Sequence, residues 1–173
     1  MYIFLKDKSL IMISILIFTL SMVLGISLVL SVGNDGSIPG MDESNAYIKR
    51  EGLSGAWFFF TQNLKVSLML ISGILVFGIT TIPILLINGF WLGSVLGSQY
   101  ISGKSILDLF LAIVPHGIFE IPALLLAGYL GLVGLKFYFY ETNWKRLFSV
   151  LALLIIMLMV AALIEGFLTP KYI

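Results

Sequence analysis

The sequence predicts an all-α protein: a polytopic transmembrane bundle of about five to six helices, with a broken or kinked helix at Pro115–Pro122. Three observations carry this. The chain is 60% hydrophobic and only 11% charged over 173 residues, whereas a soluble domain carries roughly 25% charged residues. Its apolar residues come in continuous runs of membrane-spanning length and do not alternate, which argues against a β-barrel. Two prolines flank the single histidine inside one of these runs, and proline removes a backbone donor and crowds the preceding helical turn.

The first span is expected from Leu10 to Val32, about 23 residues, longer than the apolar region of a cleaved signal. Its lead of Lys6, Asp7 and Lys8 favours a cytoplasmic N-terminus. The turn-rich stretch Gly33 to Gly40 follows, then a polar segment from Met41 to Gly55 with slightly negative charge, which fits the outer side. The polar outer loop is therefore placed at 33–56, with Trp57 and Phe58–Phe60 read as an interfacial belt or a helix lying along the membrane. The second span is expected from Asn63 to Ile87, with Lys65 snorkelling near its start and Thr80, Thr81 and Pro83 softening its far end. Asn88-Gly89 breaks the pattern, and Phe90 to Tyr100 is too short to span upright, so it reads as a short tilted span or a re-entrant piece.

Ser102 to Ser105 is a turn. Ile106 to Leu135 is too long for one straight span, which predicts either a kinked helix or two half-helices meeting near His116 and Glu120. Lys136 to Arg146 is an aromatic and basic loop, placed in the cytoplasm by its positive charge. The last span runs from Leu147 to Leu168, and on this count the C-terminus lies outside. The whole of 1–173 reads as a single integral domain of the cell membrane, crossing it several times with the lipid bilayer as its first partner.

The composition also excludes functions. A net charge of +1 supplies no basic patch for nucleic acid. The absence of cysteine rules out disulfides and thiolate chemistry, so a metal site would need His, Asp or Glu. No phosphate-binding GxxxxGK[ST] loop occurs, so the chain does not hydrolyse nucleotide itself. No serine sits in a nucleophile motif and no cofactor is implied, so the chain is expected not to be an enzyme. Gly89, Gly93 and Gly97 lie four apart, the small-residue spacing that lets helix backbones approach; Gly128 and Gly131 do not share that spacing. Such faces are compatible with a homodimer.

Ionisable groups at membrane depth are expensive and usually face a bundle interior or a wet cavity. His116 and Glu120, at i and i+4, share one helix face. The pair could be structural, satisfying backbone freed by Pro115 and Pro122. It could handle protons or a ligand. With Glu165 as a third ligand it could hold a divalent metal, although HxxxE alone is a weak metal signal. Glu165 lies near a helix end and could instead reach the interface. Asn88 precedes glycine and reads as a turn or cap residue. Asn63 either caps the second span or hydrogen-bonds across helices.

Several pieces together carry a family resemblance: Phe60-Thr61-Gln62-Asn63, Asn88-Gly89-Phe90-x-Leu92-Gly93, Pro115-His116-Gly117-x-x-Glu120-x-Pro122-Ala123, Ala127-Gly128-x-x-Gly131-Leu132 and Glu165-x-x-x-Thr169-Pro170. From Trp57 to Pro170 the sequence resembles the stage II sporulation protein M family of small polytopic membrane proteins. The resemblance implies a membrane scaffold within a multiprotein complex, which in spore formers anchors two peptidoglycan-cleaving partners. The chain is also similar to the membrane halves of ABC-2-type exporters, which implies a permease-like or channel-like subunit working with a separate ATPase. A scaffold predicts a dry His116–Glu120 pair bonded to itself and the backbone. A permease predicts a cavity reaching the pair.

Overall fold

The computed structural model describes residues 8–33 and 51–169; the expectations for 34–50, the greater part of the outer loop, lie outside the described residues. The described chain forms α1 (Lys8–Val32), α2 (Gly52–Ile71), α3 (Thr81–Ile101), α4 (Ile106–Phe137) and α5 (Trp144–Phe167). The all-α bundle is confirmed, with five α-helices among the described residues. Among the described residues, four helices, α1, α3, α4 over Ile106–Gly134 and α5, are long and apolar enough to cross a membrane, fewer than the five to six spans expected. Large apolar side chains such as Met12, Leu16, Leu24, Phe148 and Ile156 point outward along them, as a lipid-facing surface requires.

Two boundaries differ from the sequence reading. Trp57 to Phe60 belong to the first turns of α2 and not to a separate interfacial helix. The expected second span is divided near Ser72–Thr80, and the expected break at Asn88-Gly89 is absent. α2 ends in a short 3-10 turn at Ser72–Ile74, after which Phe77 (φ 54°) and Gly78 (φ 79°) both take the left-handed conformation that ends a helix. The Gly78 amide donates back to the Gly73 carbonyl at 2.7 Å. α3 then begins at Thr81, so Pro83 lies in its first turn, where the missing amide hydrogen breaks nothing. Phe90 to Tyr100 is the second half of this one helix, neither a separate span nor re-entrant.

α4 opens with a capping box: the Ser105 hydroxyl accepts from the Asp108 amide at 3.2 Å, and the Asp108 carboxylate accepts from the Ser105 amide at 3.1 Å. It then runs unbroken through Pro115 and Pro122, so the half-helix alternative is not formed. α5 is capped by Asn143, whose side chain accepts from the Arg146 amide at 3.1 Å.

Helix directions follow from which residues meet. Cβ atoms built at Gly89, Gly93 and Gly97 of α3 would run into Phe18, Met22 and Val29 of α1 in the same order, so these two helices are parallel. Gly25 of α1 lies equally close to the backbone of Phe90. The Ser21 hydroxyl crosses the seam to the Leu86 carbonyl. Gly131 and Gly134 of α4 lie against the backbones of Leu70 and Gly73 at the end of α2, so α2 and α4 run together. Gly166 near the end of α5 meets Ala56 near the start of α2, which makes that pair antiparallel. α4 is the central element: Ala123, Ala127, Leu130 and Val133 are buried against both core clusters. Gly89, Gly93 and Gly97 thus pack against α1 within the chain.

Candidate functional site

The site lies on α4 between its N-terminal third and the buried core. Regular helical spacing puts His116 and Glu120 on one face, and Gly117 between them carries no side chain into the space they front. A Cβ there would meet only the Ile113 and Ile121 side chains of its own helix, at 3.2 and 3.6 Å, so Gly117 leaves room and does not seat a partner helix. Pro115 and Pro122 bracket this turn and withhold the amide hydrogens that would otherwise reach the Leu111 and Ile118 carbonyls.

α5 delivers Glu165 to the same place. Gly166 beside it permits close approach to the first turn of α2, where a Cβ would lie 2.7 Å from the Ala56 nitrogen and 2.8 Å from the Gly52 oxygen. One potential ligand atom from each of His116, Glu120 and Glu165 lies within 4.8 Å of the others. Glu165 therefore joins the cluster and does not reach out to an interface. α2 adds Asn63, whose side chain hydrogen-bonds Glu120; of its two expected roles, the cross-helix one is found. Thr169, two residues past the end of α5, is 4% exposed, and its hydroxyl lies 3.3 Å from His116 Nδ1.

His116 and Glu120 are thus held by Thr169 and Asn63 and do not close on each other. A cavity of about 110 Å³ adjoins them, lined also by Phe18 of α1, Asn88 and Leu92 of α3, and Leu124 of α4. It has room for about three waters at roughly 30 Å³ each. Asn88 was expected in a turn. It lies within α3, where its side-chain amide donates to the Ile84 carbonyl of its own helix at 2.7 Å, and it lines the cavity. Gly89 and Gly93 serve the α1 seam, while Gly128 and Gly131 are packing residues despite lacking the four-residue spacing. A Cβ at Gly128 would lie 2.7 Å from the Ser14 hydroxyl. Thr169 was not singled out as a site residue, although its position four residues after Glu165 places it on the same face.

Two carboxylates and an imidazole this close, surrounded by apolar helices, demand a counter-charge. Two full negative charges 4.8 Å apart repel by roughly 3.5 kcal/mol even at an effective dielectric near 20. A shared proton or a bound cation removes that term. The donor set of one imidazole and two carboxylates suits either.

The fold and site define a helical membrane protein with a His–Glu–Glu cluster at the junction of its helices. The chain belongs to the stage II sporulation protein M family, whose model matches residues 13–170. It is 30% identical over 172 residues to the uncharacterized protein MJ0793 of Methanocaldococcus jannaschii, covering 93% of this chain and 94% of that one. No solved structure matches.

Proposed function

We propose that this chain is a multi-pass protein of the cell membrane that acts as a permease-like, non-enzymatic subunit, handling a proton or small cation at His116, Glu120 and Glu165. The observation that supports this best is the open pair: His116 and Glu120 bond Thr169 and Asn63 and face a cavity of about 110 Å³. A merely structural ion pair has no use for that space, and intramembrane ionisable groups at a cavity characteristically mark ion or proton paths. A separate ATPase belongs to this proposal as the source of drive for uphill transport; passive flux down a gradient does not require it.

The test is flux in liposomes containing the purified chain, with an internal pH dye and, separately, a divalent-cation dye. Wild-type protein is expected to carry protons or divalent cations faster than protein-free liposomes, and Glu120→Gln to abolish the difference. Flux equal to protein-free liposomes under every gradient would overturn the reading. That result would leave the second reading, a membrane scaffold anchoring partner proteins. Family membership supports the scaffold, as does the outward-facing aromatic surface of Phe77, Tyr138, Phe139 and Trp144.

A further inference from the structure

We infer that His116, Glu120 and Glu165 form a three-ligand site for a divalent first-row transition-metal ion, with its remaining coordination position facing the cavity. This rests on the reading of the cluster as a working polar site, and it names the ion that the site takes. Convergence is the first support: one ligand atom from each side chain, drawn from two helices, falls within 4.8 Å of the other two. Three protein ligands with an open position is the arrangement of catalytic and exchangeable sites, whereas structural sites are closed by four.

The surrounding hydrogen bonds are the second support. The Thr169 hydroxyl donates its own proton to the Ile164 carbonyl at 3.5 Å. The same hydroxyl lies 3.3 Å from His116 Nδ1, so it engages that nitrogen and leaves Nε2 as the one open to a further ligand. An imidazole oriented by a second group so that its other nitrogen is available is the usual preparation of a metal-binding histidine. Asn63 orients Glu120 in the same way. Two carboxylates and a divalent cation sum to no net charge, which removes the repulsion inside the bundle. The imidazole disfavours Mg²⁺ and Ca²⁺, which take oxygen ligands, and the lack of thiols disfavours Cu⁺.

The test uses the full chain in lipid nanodiscs, stripped with chelator and dialysed against Co²⁺ or Zn²⁺, with bound metal read by elemental analysis and by the visible spectrum of Co²⁺. Wild-type protein is expected to bind one ion per chain, and Mg²⁺ in excess is expected not to displace it. Glu120→Gln and Glu165→Gln should each weaken binding at least tenfold. Thr169→Val keeps all three ligands and loses only the orientation of His116, and it should weaken binding between tenfold and a hundredfold. Elution volume and heat resistance identify any variant that misfolds, in which case Thr169→Val carries the result. Absence of saturable binding in the wild type, or equal binding by all folded variants, overturns the proposal. If metal binding is absent but proton flux dependent on Glu120 remains, the metal site falls and the permease-like reading stands. If both are absent, both fall.

Discussion

Replacing Gly93 with alanine should force α1 and α3 apart. A Cβ at this position would overlap the Met22 carbonyl oxygen and lie 2.8 Å from its carbon and 3.0 Å from the Met22 Cα. Carbon atoms pack at about 3.5–4.0 Å, so the two helices must separate by close to 1 Å. Both obstructing groups are backbone, and no rotamer change relieves them. Overpacking of this kind costs about 1–3 kcal/mol. The Ser21 hydrogen bond to the Leu86 carbonyl crosses the same seam, and losing it adds about 0.6 kcal/mol. The sum, about 2–4 kcal/mol, corresponds to a fall of roughly 4–16 °C in Tm for a chain of this length. Heating in mild detergent followed by size-exclusion chromatography reads the loss. Gly117→Ala is the control, because its Cβ meets only side chains of its own helix, and it should melt within about 2 °C of wild type. Equal stability of Gly93→Ala and wild type would refute the close-packed seam.

Thr81→Val preserves shape but removes the 2.9 Å bond to the Leu70 carbonyl that ties the start of α3 to the end of α2; a loss of about 1 kcal/mol is expected by the same assay. Ser105→Ala breaks the capping box of α4 and should cost about 1 kcal/mol, seen as lower heat resistance. In protein stripped of metal and held at alkaline pH, where no shared proton offsets it, Glu165→Gln removes the repulsion with Glu120 and should raise Tm by up to about 14 °C; a lower Tm would show that the carboxylate serves packing. The native chain has no cysteine, so single cysteines at Ser102 and Thr142 can be labelled selectively. Ser102 follows α3 and is exposed. Opposite sidedness to Thr142 is expected, with Thr142 cytoplasmic, and labelling of both from one side would refute the alternating path of the helices.

What the sequence determined by itself was set by composition and by local chemistry. Sixty per cent hydrophobic residues and scarce charge impose a helical membrane bundle, because only helices and closed barrels satisfy their backbones in lipid. The turn at Ser102–Ser105 was legible because capping is local, and so was the shared face of His116 and Glu120, because helical periodicity is local. Asn88-Gly89 misled for the same reason. Those residues favour a turn in isolation, but Gly89 is needed where α3 touches the backbone of Phe18, a contact between residues far apart in sequence. The true division of the expected second span lies at Phe77-Gly78, where Gly73 and Gly131 bring α2 and α4 together. The candidate site divides along the same line. Its residues were visible as polar exceptions in apolar runs. Only the tertiary structure decided that Glu165 joins them, that Thr169 and Asn63 orient them, and that a cavity adjoins them, because those relations depend on how five helices are set against one another, and no periodicity within a single helix encodes that.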